Sequence, residues 1–198
     1  LQREGAAYIN VSQAGASYGM IHRNIPPIYE PQGAFVNLAA EVKKHVSIPV
    51  GTVGRIKDPV LADRMVKEGR ADLVCMGRAQ FADPEMVEKA RKGSFADIRP
   101  CLADCLGCIE GILRYGESSC TVNPRVGREY VIEDVPGEKS ASPKKVLVVG
   151  AGCAGLEAAR RAAFAGHHVV LCESRGFLGG QVRLAAMIPM RQEIADIL

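Results

Sequence analysis

Tryptophan is absent from this 198-residue chain, and with five Phe and five Tyr the aromatics reach only 5%. A surface that stacks bases on rings needs more than that. An excess of charge of one sign is lacking too: 25 Lys and Arg against 22 Asp and Glu leave +3. So mild a balance does not build a polyanion-binding face or an anionic-membrane surface, and no nucleic acid and no membrane is expected as a partner. The longest uncharged apolar stretch, residues 146–156, falls well short of the ~20 residues that span a bilayer. No signal peptide is expected. What is there is ordinary for a protein with a core, at 47% hydrophobic and 24% charged, and the length allows one large or two small domains. Seven cysteines, an odd number and mostly clustered, argue against a secreted disulfide scaffold and for a reducing, cytoplasmic setting. The chain opens at Leu1 directly into an amphipathic pattern and stops at Leu198 inside another, so a segment of a longer polypeptide is the expectation.

Four of the cysteines, Cys101, Cys105, Cys108 and Cys120, fall within residues 101–120 with the spacing C-x3-C-x2-C-x11-C. Thiolates are soft ligands, and four suit zinc or an iron–sulfur cluster. Three close cysteines and one distant one favour the cluster, since a compact loop reaches three iron corners, whereas zinc sites more often pair two with two. Zinc and buried structural cysteines stay open on spacing alone. The others, Cys75, Cys153 and Cys172, lie in or beside apolar strands and read as small buried hydrophobes.

Ahead of this loop, strand and helix alternate three times. Strands are expected at residues 8–12, 48–53 and 71–76, and helices at 33–46, from Asp58 to Gly69, and from Asp83 to Lys92. Residues 13–32, with Gly15, Gly19, Pro26, Pro27 and Pro31, read as a long functional loop carrying His22 and Arg23. Alternating units imply a parallel sheet with ligands at the carboxyl ends of its strands. Gly54-Arg55 and Gly77-Arg78 follow two successive strands. Glycine lets backbone amides approach a phosphate and arginine clamps it, so the two pairs point to a phosphate site.

Residues 125–144 are polar and proline-containing, and read as a linker. A second nucleotide motif follows. A strand at 145–149 feeds Gly150-Ala151-Gly152-Cys153-Ala154-Gly155, which opens a helix with Leu156, Ala159 and Ala163 facing inward. A second strand at 168–172 ends at Glu173, 23 positions after Gly150. Strand, G-x-G-x-x-G, helix and distal acid together form a dinucleotide fingerprint: pyrophosphate at the helix N-terminus, ribose hydroxyls on Glu173.

The order of these motifs resembles one group. Gly51-Thr52-Val53-Gly54-Arg55-Ile56, then Ala71 through Gly77-Arg78, Ala82-Asp83-Pro84-Glu85, Ile98-Arg99-Pro100-Cys101, Cys120-Thr121-Val122-Asn123-Pro124 and the glycine-rich turn are similar to the iron–sulfur branch of the old yellow enzyme family, which includes 2,4-dienoyl-CoA reductase, 2-enoate reductase and trimethylamine dehydrogenase. The resemblance implies an α/β protein: the last three β/α units of an FMN-binding TIM barrel (residues 1–98), a cysteine-rich cluster loop and linker (99–143), and the start of a Rossmann-like FAD/NAD(P)-binding domain (144–198). It implies that Arg55, Gly77 and Arg78 hold the FMN phosphate, that Cys101, Cys105, Cys108 and Cys120 ligate a [4Fe–4S] cluster, and that Gly150, Gly152, Ala154, Gly155, Glu173 and Gln181 hold FAD, or ADP in its place. A histidine lies near the substrate in the reductases, and His22 is the one candidate for that catalytic position. The reductases show C-x2-C-x3-C and the amine dehydrogenases C-x2-C-x2-C, so Cys105 is displaced by one position.

The implied function is an oxidoreductase passing electrons between NAD(P)H, FAD, the cluster and FMN to reduce an activated C=C bond. The alternatives are an amine dehydrogenase or N-demethylase, and a non-catalytic zinc-stabilised nucleotide-binding module. The expected partners are a small-molecule substrate, the rest of its own polypeptide and further copies of itself.

Overall fold

Three short β-rich runs form β1 (Ile9–Val11), β2 (Val50–Thr52) and β3 (Leu73–Val74), paired in parallel in that order, with Ile9 opposite Val50 and Gly51 opposite Leu73. Each connection is helical, as parallel neighbours require. The computed structural model describes residues 1–13, 21–132 and 139–198, which divide into two units, Leu1–Asn123 and Pro124–Leu198.

In the first unit, β2 is the middle strand, and all three of its residues are buried. Two helices pack against this sheet. Helix α2 (Val36–Lys43) sits on β1 and β2, and α3 (Pro59–Lys67) reaches β3. The start of α3 is set by its sequence: the Asp58 carboxylate accepts from the Val60 amide at 2.9 Å, with proline at the first helical position. Val36, Ile56 and Met65 form the core, with Leu61, Ala62, Val74 and Met76 packed on it. Leu38 and Val66 are exposed.

Two sequence expectations change here. The stretch read as a loop over residues 13–32 contains a short helix, α1 (Ile21–Asn24). The segment read as one helix from Asp83 to Lys92 is α5 (Met86–Arg91), and a separate helix, α4 (Gly77–Ala82), begins directly at Gly77-Arg78. Six residues are too few for a periodic apolar stripe to show. Beyond them come a π-helical turn (Leu106–Glu110) and α6 (Gly111–Tyr115).

In the second unit, β4 (Lys145–Val149) pairs in parallel with β5 (His168–Cys172), Lys145 opposite His168, and α7 (Cys153–Phe164) connects them. Leu156 and Ala159 are half-buried on the strands, whereas Ala163 is exposed. Burial alternates along both strands, leaving Leu147, Val149 and Val170 exposed on one face. Helix α8 (Gln181–Ala186) follows. The expectation that Cys75, Cys153 and Cys172 are buried is overturned, for all three are exposed. Cys172 lies on the exposed face of β5, and Cys153 opens α7 at the solvent side. Among the described residues no helix is long and apolar enough to cross a membrane.

Candidate functional site

Both ends of the cysteine loop are fastened to α4. The Arg99 amide donates to Asp83 Oδ2 at 2.9 Å, and its guanidinium to the Ala82 carbonyl at 3.3 Å. At the far end the Asn123 amide side chain, buried to 3% exposure, donates to the Phe81 carbonyl at 2.8 Å. Asp83 is the keystone: it also accepts from Lys89 Nζ at 2.6 Å and from the Glu85 amide at 3.0 Å. Burial opposes ionisation of Asp83, yet the Lys89 ammonium and the Arg99 and Glu85 amides hold its carboxyl below the usual range.

Inside the loop, the fourth cysteine returns because the backbone folds on itself. The Ser119 amide donates to the Gly107 carbonyl at 3.0 Å. A Cβ on Gly107 would lie 2.7 Å from Ser119 Oγ and 2.8 Å from its carbonyl oxygen, so only glycine admits this approach. The displaced cysteine is absorbed by two non-glycine residues at positive φ, Ala103 at 53° and Cys105 at 62°, each costing about 1 kcal/mol.

As a result Cys101, Cys105, Cys108 and Cys120 line one pocket, with about 310 Å³ of space counted to its opening to solvent, together with Arg78, Phe81 and Asp104. Among the described residues no group of three or more His, Cys, Asp or Glu side chains is placed to hold a single metal ion. The Ala103 amide donates to Cys101 Sγ at 3.4 Å, and Arg78 Nη1 donates to Cys105 Sγ at 3.0 Å. The Cys108 hydrogen bond, with Arg78 adding to it, lowers the Cys105 thiol to about 7 against the cost of burial. The same bond and burial push Cys108 up, and burial pushes Cys101 up. Four soft donors beside a fixed cation fit an anionic thiolate-held centre.

Adjoining this cavity is a wider cleft, with about 670 Å³ of space open to solvent. It is lined by Gly54, Arg55, Lys57, Gly77, Arg78 and Cys75, among others. All three sequence-derived phosphate residues of the first unit therefore meet in one place. Arg55 is buried, takes φ 52°, and donates through Nη1 to the Glu30 carbonyl. Arg78 lines both spaces, and its Nη2 donates to the Pro26 carbonyl at 2.8 Å. Lys57, at 9% exposure, is a third cation in the cleft that sequence reasoning passed over. Its signal was present in Gly54-Arg55-Ile56-Lys57, a run of two cations just past a strand. His22 falls in α1, but its side chain lies outside the described residues.

In the second unit the glycine-rich turn is tight. The Gly150 amide donates to the Cys172 carbonyl at 2.7 Å, tying the turn to β5. A Cβ on Gly155 would stand 1.8 Å from the Gly150 carbonyl oxygen, so the third glycine is what lets α7 start against the turn. Glu173 accepts from the Ala151 amide at 2.8 Å, and from the Arg175 amide and Ser174 hydroxyl at 3.0 and 3.1 Å. Those donors, the Ala151 amide first, lower its carboxyl below the usual range. The Gly179 amide donates to the Ala151 carbonyl at 2.7 Å, so the Gly179-Gly180 pair lies against the turn and Gln181 begins α8 beside it. Gly152 precedes α7, and Ala154 is exposed in its first turn.

Comparison with known proteins agrees in both units. Residues 6–96 match the NADH:flavin oxidoreductase / NADH oxidase family, and residues 145–195 match the FAD dependent oxidoreductase family. An NADH oxidase from Thermoanaerobacter brockii is 42% identical over 199 residues, covering 98% of this chain and 29% of that protein. A cinnamate reductase from Clostridium sporogenes is 37% identical over 177 residues, covering 89% of this chain and 26% of that protein. The structure of histamine dehydrogenase from Rhizobium sp. 4-9 superposes with a TM-score of 0.86 at 31% identity, covering 97% of this chain and 27% of that one. The chain thus spans under a third of the length of the relatives it matches.

Proposed function

The chain belongs to the NADH:flavin oxidoreductase / NADH oxidase family, and from that membership we propose that it forms the electron-handling part of a flavin- and iron–sulfur-dependent oxidoreductase. It is an α/β chain with three parallel β/α units of a TIM barrel, a cysteine-rich loop and the beginning of a Rossmann-like nucleotide domain. The observation that carries the reading is that Cys101, Cys105, Cys108 and Cys120 line one cavity beside a cleft holding Arg55, Lys57 and Arg78.

Tetrahedral zinc at about 2.3 Å from each sulfur needs the four sulfurs drawn close to a single point. Three thiols from one short loop and a fourth returning at Cys120 to line the same pocket favour a polynuclear centre over zinc, whose sites more often pair two cysteines with two. A [4Fe–4S] cluster held there would supply one-electron relay capacity, and FMN and FAD would supply two-electron exchange with a nicotinamide nucleotide and a substrate.

The protein's part is binding and electrostatics. Arg55, Arg78 and Lys57 would present positive charge to the FMN phosphate, and Gly77 removes side-chain bulk at the same edge. The Ala103 amide and Arg78 donate toward the ligand sulfurs. The amides of Ala154 and Gly155 in the first turn of α7 would face the pyrophosphate of FAD or ADP, and Gly150 and Gly152 shape the turn that brings it there. Glu173 orders that turn through the Ala151 amide and accepts from ribose, with Gln181 alongside.

We favour reduction of an activated C=C bond at the expense of NADH or NADPH. Support comes from the cinnamate reductase relative, since cinnamate carries an alkene conjugated to a carboxylate. The histamine dehydrogenase superposition supports a second reading, in which a small amine is the electron donor. Anaerobic mixing of the full-length protein with NADH and cinnamate separates the two. Alkene absorbance should fall in step with NADH. Flavin bleaching by histamine, with no loss of alkene under NADH, would establish the amine reading instead.

A further inference from the structure

Arg78 stands in two places at once. It lines the cysteine cavity and the phosphate cleft, and its two terminal nitrogens point apart, Nη1 to Cys105 Sγ at 3.0 Å and Nη2 to the Pro26 carbonyl at 2.8 Å. A 3.0 Å N–H to sulfur contact is short, since sulfur acceptors are larger than oxygen. The second bond fixes the plane of the guanidinium, so the first is held rather than sampled. Cys105 is also the thiol displaced by one position, and both it and Ala103 take left-handed backbone angles. The strain, the displacement and the cation converge on one sulfur.

We propose that Arg78 is a positioning residue for the cysteine-held centre: its Nη1–H bond to Cys105 Sγ sets the electron affinity of that centre, in addition to any contact with a phosphate. This rests on the iron–sulfur reading above. Arg78 carries a full positive charge. The one-electron-reduced state of the centre bears one more negative charge than the oxidised state, so Arg78 stabilises the reduced state more and raises the midpoint potential. Arg55 lies in the same cleft and donates to the Glu30 carbonyl, which makes it the comparison for a cation near the site.

The test uses the full-length protein, stripped of FMN so that flavin loss does not enter the comparison. Wild type, R78Q, R78K and R55Q are assayed for iron and sulfide, and the midpoint potential of the centre is measured by EPR-monitored titration with dithionite. With iron fully loaded, R78Q should titrate at a more negative potential than wild type. R78K, which keeps the charge, should lie between them, and R55Q should coincide with wild type. R78Q coinciding with wild type, or R55Q shifting as far as R78Q, overturns the proposal. Wild type without iron overturns the iron–sulfur reading itself, a separate outcome. If R78Q takes up too little iron to titrate, wild type labelled with guanidino-15N arginine decides. The reduced centre should show a 15N coupling in pulsed EPR, and absence of that coupling in fully loaded protein overturns the assignment.

Discussion

At the scale of single residues, Cys105 is the most instructive. Its sequence position departs by one from the family spacing, yet its sulfur joins those of Cys101, Cys108 and Cys120 around one cavity. The adjustment is a backbone one, in two left-handed residues that no residue-type signal announces, since alanine and cysteine rarely adopt that region. The four candidate thiols could be singled out from their spacing in the sequence. Lys57 was passed over despite its place beside Gly54-Arg55, because a lysine after a strand is usually solvated, and the fold shows it buried. Cys75, Cys153 and Cys172 misled for the reverse reason: residue type suggested burial, and the face each occupies decided otherwise. Cys108→Ser is expected to lose most of its iron while its far-ultraviolet circular dichroism stays close to wild type. Arg55→Ala is expected to weaken FMN binding about 10- to 100-fold, the equivalent of one or two charge-assisted hydrogen bonds. Flavin fluorescence on dilution measures it.

At the scale of elements, α4 and the glycine-rich turn do the organising. The β4–turn–α7 unit could be read from sequence because strand, glycines, helix and acid all constrain one another, and α3 because Asp58 and Pro59 mark its start. Helix α4 could not, having six residues and no stripe, although both ends of the cysteine loop hang from it through Arg99, Asp83 and Asn123. Asp83→Ala removes three bonds to a buried carboxylate and should destabilise the protein by about 2–3 kcal/mol at neutral pH. The sign of its pH dependence follows from the lowered carboxyl. The folded value lies below the ordinary 3.8, so Asp83 contributes fully above about pH 4, and the contribution fades as pH falls through the folded value. Denaturant unfolding at pH 7 and pH 3 should therefore show the gap between wild type and Asp83→Ala narrowing in acid. Gly155→Ala places a methyl 1.8 Å from the Gly150 carbonyl oxygen. It should cost about 1–3 kcal/mol through backbone displacement, read as reduced FAD or ADP retention and a lower melting temperature.

At the scale of the whole molecule, the family was legible because the motifs occur in a fixed order, which no single one of them would establish. The choice between an alkene acceptor and an amine donor was not legible: the described residues of the site are ones proposed to hold cofactors, and the one residue proposed to touch substrate, His22, has no described side chain. What the account claims centrally is that four thiols share one inorganic centre next to a phosphate-binding cleft. The most direct measurement is iron, acid-labile sulfide and zinc on anaerobically purified full-length protein, with a visible spectrum before and after dithionite. The account predicts a brown protein with about four iron and four sulfide per chain, whose visible absorption bleaches on reduction. A colourless protein holding one zinc per chain and no labile sulfide would contradict it.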